Sequence, residues 1–127
     1  MGGFGAFNLG LKHRDQFKLV AGISPALNLR YAGASGDYRA GFDPDHWSLR
    51  DDFRNLEVIG RFYGGMLKVR PLLIVRPVWG RGPEAAARIA VENPVELLDQ
   101  LGVQSGEQDY YVGYGKSDEL KIGRAHV

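Results

Sequence analysis

The chain opens with three glycines in its first five residues, Met1-Gly2-Gly3-Phe4-Gly5-Ala6-Phe7, and runs from them directly into a helical pattern. A glycine cluster leading directly into an apolar helix is an unusual opening for a chain. Phe4, Phe7 and Leu11 recur at the spacing of a buried helical stripe. Lys12-His13-Arg14 ends that helix with positive charge at the negative end of its dipole. The short apolar run from Phe17 to Ile23 is predicted to be a buried strand, terminated by Ser24-Pro25. A helix followed at once by a strand of this kind is one half of a β-α-β unit.

A glycine cluster ahead of such a helix fits the back half of Gly-x-Ser-Met-Gly-Gly, a nucleophile elbow. There a serine sits on a strained strand-to-helix turn that small neighbours allow to form. On that reading Met1 follows the serine and its backbone N–H is an oxyanion-hole donor. Gly2 is the last glycine of Gly-x-Ser-x-Gly, and Gly3, Gly5 and Ala6 let the helix approach a sheet. Two other readings stay open. The opening is also compatible with a leader of no special role. Gly3-Phe4-Gly5 loosely matches a dinucleotide loop, but no strand precedes it and the third glycine is missing.

The length of 127 residues suits one domain and is short for a complete doubly wound enzyme. Charged residues make up 24% and the formal net charge is +1, a globular composition without a dense Lys/Arg block. That balance gives no electrostatic footprint for nucleic acid or an anionic membrane. The absence of cysteine excludes a disulfide framework, thiolate-ligated zinc and a cysteine nucleophile. The best apolar run, Pro71 to Val75, is too short to span a bilayer and is bracketed by Arg70 and Arg76. No signal peptide is visible, and no compartment, metal or organic cofactor is implied.

Residues 28 to 82 are rich in glycine, arginine, aspartate and aromatics. A long excursion of this kind suits a cap or pocket wall. Within it, Asp43-Pro44-Asp45 is expected to turn into a helix start, and Leu56 to Phe62 to be helical up to Gly64-Gly65. His46, flanked by carboxylates, has no second histidine nearby and is expected to be solvated rather than a metal ligand. Pro83-Glu84 opens a further helix that Asn93-Pro94 breaks. Val95 to Leu101 forms another, closed by Gly102, and Asp109 to Tyr114 is a strand. Residues 122–127, Ile-Gly-Arg-Ala-His-Val, can be encoded by ATC GGA AGA GCA CAC GTC, a string that looks like a sequencing-library adapter. They are expected to be a non-native tail, and His126 is given no role.

The opening segment, Leu11 to Phe17, Ala21-Gly22-Ile23-Ser24-Pro25, Glu92-Asn93-Pro94 and Tyr111 to Gly115 leading to Asp118-Glu119-Leu120 together resemble the putative-esterase (esterase D and antigen 85-like) family of α/β-hydrolases. The resemblance covers nearly the whole chain and is thin between residues 35 and 80. It implies a partial α/β-hydrolase domain over 1–121: the C-terminal half of a mostly parallel sheet with flanking helices and a cap-like excursion at 28–82. It implies a serine carboxylic-ester hydrolase working through an acyl-enzyme on a small-molecule ester, with an acyltransferase of the same fold as a variant. It also implies the chain order Ser, acid, His, with Asp118 at the acid position and Glu119 as the backup. Neither the serine nor the histidine of that order is found here, since His13 closes the first helix and His46 precedes the acid. The expectation is an internal fragment, inactive by itself. The competing class is a non-catalytic carbohydrate- or partner-binding module.

Overall fold

In the computed structural model the residues described are 2–33, 43–53, 58 and 60–115. The first helix, α1 (Gly2–Lys12), buries Phe4, Phe7, Gly10 and Leu11, the stripe expected from their spacing. It leads into strand β1 (Leu19–Ile23). β1 pairs in parallel with the last described strand, β6 (Asp109–Gly113), in the register Leu19↔Asp109 to Ile23↔Gly113. Two glycines show how α1 lies on β1. A Cβ on Gly10 would stand 2.3 Å from Val20 Cγ2, at the start of the strand. One on Gly3 would stand 2.7 Å from Pro25 Cβ, just past its end. The helix therefore runs antiparallel to β1, at a separation that side chains there would forbid.

Between these elements the chain forms two short antiparallel pairs. Strand β2 (Tyr31–Gly33) pairs with β3 (Trp47–Leu49). Strand β4 (Gly60–Phe62) pairs with β5 (Leu67–Val69). Helix α2 (Pro71–Trp79) starts on a proline, and α3 (Gly82–Ala90) carries one in its first turn. Helix α4 (Pro94–Gln100) ends at Gly102 in the left-handed region, φ 59°, with Val103 N–H donating to Leu98 O at 3.0 Å. The apolar core gathers Phe4, Phe53, Val75, Trp79, Ala85, Ala86 and Ile89. Phe4 meets Trp79 edge-on at 5.8 Å between ring centroids. On the same helix Phe7 stacks on Tyr110 of β6 at 6.1 Å.

Three expectations are corrected. Residues 60–62 are strand, not helix: the apolar spacing of Leu56 to Phe62 mimics a helical stripe, but Gly64 and Gly65 take positive φ and fold the chain back into a β4–β5 hairpin. Residues 56, 57 and 59 of that stretch lie outside the described residues. The Asp43-Pro44-Asp45 turn leads into β3, not into a helix. Strand β1 is buried on one face only. Val20 and Gly22 face α1, whereas Leu19 and Ile23 are exposed.

One surface tie holds α1 to the α3–α4 junction. Glu92 pairs with Lys12 and accepts from Asn8 Nδ2 at 2.8 Å. The Lys12 hydrogen bond holds the Glu92 carboxyl below its ordinary value, with Asn8 adding to the effect against partial burial. A carboxyl depressed on folding stabilises fully above the ordinary range and loses that contribution as pH falls through the depressed value. Glu92 is 40% exposed, so Glu92→Gln is expected to cost no more than about 1 kcal/mol at neutral pH. The melting temperatures of variant and parent should converge in acid. A gap that stays constant across the carboxylate titration would rule this pairing out as its source.

Candidate active site

The elements meet at the carboxyl edge of the parallel pair. The start of α1 lies there because Gly3 seats against Pro25. β1 exits there through Ser24, whose N–H donates to Gly113 O at 2.6 Å. β6 leaves at the same edge through Gly113-Tyr114-Gly115. Ser24 takes φ 46°, a left-handed conformation rare outside glycine, and so turns the chain sharply at the strand end. Gly22 is required just before it: a Cβ there would stand 2.9 Å from Phe7 Cε2 and 3.1 Å from Pro25 Cβ.

Of the residues assigned by sequence, Gly2 is the first residue of α1 and is exposed, with open space where a Cβ would stand. Met1, Asp118 and Glu119 lie outside the described residues. His13 follows α1 as an exposed turn residue. His46 Nδ1 lies 2.9 Å from Asp43 Oδ2, both side chains exposed, a contact within one turn. Among the described residues no group of three or more metal-ligating side chains is gathered, and no helix is long and apolar enough to cross a membrane.

The sequence reading missed a buried polar network behind the edge. Asn93 is fully buried. Its Oδ1 accepts from Leu29 N–H at 3.0 Å, and its Nδ2 donates to Asn28 Oδ1 at 3.0 Å and Glu96 Oε2 at 2.8 Å. Arg30 donates to Glu96 Oε1 at 2.5 Å, to Asp51 Oδ1 at 3.1 Å and, through Nε, to Arg50 O at 2.8 Å. These bonds fasten the 24–30 segment, the continuation of β1, to the start of α4 and to the end of β3. Asn93 occupies the N-cap position of α4 without capping it. An asparagine ahead of a helix-opening proline was the available signal, read as a helix break and as part of the family resemblance, not as a buried partner.

At the other end of the sheet Gln108 clamps α1 to β6, its Nε2 donating to Gly10 O at 3.0 Å and Phe17 O at 2.6 Å. Beside the parallel pair an apolar cleft of about 190 Å³ opens between α1, α4 and β6, walled by Phe7, Leu27, Leu98, Tyr110 and Val112. Burial pushes the Tyr110 hydroxyl above its ordinary value; the Glu107 carboxylate adds to this and Arg14 opposes it.

A helix packed antiparallel on one strand of a parallel pair is an α/β arrangement. The chain belongs to the putative-esterase family, whose model matches residues 1–124. No curated protein and no solved structure matches it significantly. Membership carries ester-hydrolase chemistry and a small-molecule substrate.

Proposed function

We propose that the chain is the central-to-late part of a serine carboxylic-ester hydrolase with a partial α/β-hydrolase fold. In this reading the nucleophilic serine immediately precedes Met1, and Gly2 completes the elbow. The serine attacks the ester carbonyl, and the oxyanion is held by the Met1 N–H. A histidine later in the full protein takes the serine proton and passes it to the leaving alcohol. Asp118 orients that histidine and stabilises its protonated form. The 28–82 excursion forms a cap over the site.

The observation that carries the reading is the convergence at one edge. α1 begins beside Pro25, where β1 ends, and β6 exits two residues short of Gly115 at the same edge. Asp118 follows three residues later in sequence. An elbow residue and a post-strand acid must share such an edge to act on one histidine.

On this reading the serine and the histidine of the triad lie outside these 127 residues, so the purified chain is expected to show no turnover of a p-nitrophenyl ester above an unfolded control. Turnover that survives repurification and disappears on heat inactivation would refute the assignment of the missing serine and histidine.

A further inference from the structure

The net charge of +1 conceals an uneven distribution. From Gly60 to Arg81 there are five cations, Arg61, Lys68, Arg70, Arg76 and Arg81, and no carboxylate, so the remainder of the chain is net negative. From Gly60 to Trp79 the only side chains with polar atoms are these cations, Tyr63 and Trp79. The β4–β5 hairpin sets Arg61 directly across from Lys68. Like charges opposite each other destabilise a two-stranded ribbon, and among the described residues no carboxylate pairs with either.

The hairpin tip is apolar and fully presented. Tyr63 is 84% exposed and Met66 91% exposed, with Leu67 half exposed beside them. Tyr63 is held at φ 52° and is followed by Gly64 and Gly65 at 66° and 96°, three consecutive left-handed residues. Tyr63 has no such freedom by nature, so the tip holds a strained tyrosine in solvent. Lys68, Arg70 and Arg76 then line a hollow of about 290 Å³ with Leu73 and Pro77. On α2, Leu73, Arg76 and Pro77 face out, while Val75 and Trp79 face the core against Phe4. The basic face is thus turned away from the packing that supports the candidate ester site.

We propose that this face, the β4–β5 hairpin with the outer side of α2, docks on an anionic phospholipid surface, with Tyr63 and Met66 entering the headgroup layer. The face combines cations with exposed apolar groups, Tyr63, Met66, Leu67 and Leu73, which fits an interface between water and lipid. It carries no amide, carboxylate or aliphatic hydroxyl side chain with which to read an acidic peptide or a base edge. A tyrosine ring with its hydroxyl outward is suited to the headgroup level. The inference does not depend on the serine mechanism.

The test is vesicle flotation of the purified chain, in which aggregates sink and only lipid-bound protein rises. The chain is expected to float with phosphatidylcholine vesicles containing about one-third phosphatidylglycerol, not with phosphatidylcholine alone, and to be released by about 0.5 M salt. Lys68→Glu removes a cation and adds an anion near the surface, so at about fivefold per charge binding should fall about 25-fold. The new carboxylate stands opposite Arg61, so the hairpin itself is favoured and a loss of binding cannot be a loss of fold. Met66→Trp should show a blue-shifted emission with anionic vesicles that the parent chain does not show. Equal flotation with both lipids, flotation with neither, or binding indifferent to Lys68→Glu overturns the proposal. So does tighter, salt-sensitive binding to a single-stranded oligonucleotide without the Met66→Trp blue shift.

Discussion

Asp118→Asn, placed in a longer chain that supplies Gly-x-Ser ahead of Met1 and a histidine beyond Leu120, is expected to lower kcat for ester hydrolysis by about 10⁴-fold. KM should change little, because in the proposed arrangement the acid contacts the histidine and not the substrate. The physical reason is tautomeric. An amide presents its N–H₂ to the imidazole, favouring the ring form that cannot accept the serine proton, and it does not stabilise the imidazolium. Glu119→Gln in the same chain should remain within a few-fold of the parent. Steady-state kinetics on a p-nitrophenyl ester decide the matter. A collapse with Glu119→Gln and not with Asp118→Asn would move the acid by one position, and full activity in both would remove it from this pair of residues.

The second large effect is on stability and needs only the chain itself. Asn93→Asp is expected to cost about 3–5 kcal/mol, the range for an uncompensated charge in a buried network. Asn93 Nδ2 donates to both Asn28 Oδ1 and Glu96 Oε2. An aspartate has no donor to offer them and adds a second negative charge beside Glu96 in a fully buried position. For a domain of this size the melting temperature should fall by more than about 10 °C. Asn93→Ala, which leaves partners unsatisfied but adds no charge, should cost less, about 1–3 kcal/mol. Lowering the pH should narrow the gap between Asn93→Asp and the parent, because a protonated carboxyl regains a donor. Melts that coincide with the parent at neutral pH would mean that the network is not closed to water.

The elements that were legible in the sequence are those fixed by local chemistry. Phe4, Phe7 and Leu11 specify α1 through their spacing. Pro83 in the first turn and Gly102 in a left-handed closing turn bound α3 and α4. The strand at Asp109–Gly113 follows from aromatic and β-branched residues. The β4–β5 hairpin was not legible because Gly64-Gly65 serves equally as a helix stop or a hairpin tip, and only the pairing of Arg61 with Lys68 decides between them. Helix α2 was hidden in an apolar run, Pro71 to Val75, weighed only as a membrane span. The Asn28–Arg30–Asn93–Glu96 network joins residues more than sixty apart in sequence, and no short pattern announces such partners. Around the candidate site, the helix carrying Phe4, Phe7 and Leu11 and the strand expected from Asp109 to Tyr114 are both present, the strand ending at Gly113. The roles of Met1 and Asp118 concern residues outside the described ones.

The register Leu19↔Asp109 also sets a timetable. These partners are ninety positions apart, so β1 is made long before the strand that completes it. At about 5–20 residues per second the ribosome needs roughly 5–18 s to deliver β6 after β1. During that interval α1 can already cover Val20 and Gly22, but the hydrogen-bonding edge of β1 that β6 will occupy waits for its partner. Closing so long a loop late makes the parallel pairing the slow event of folding. The nascent chain is therefore most exposed to misassociation over the stretch in which its excursion is being synthesised.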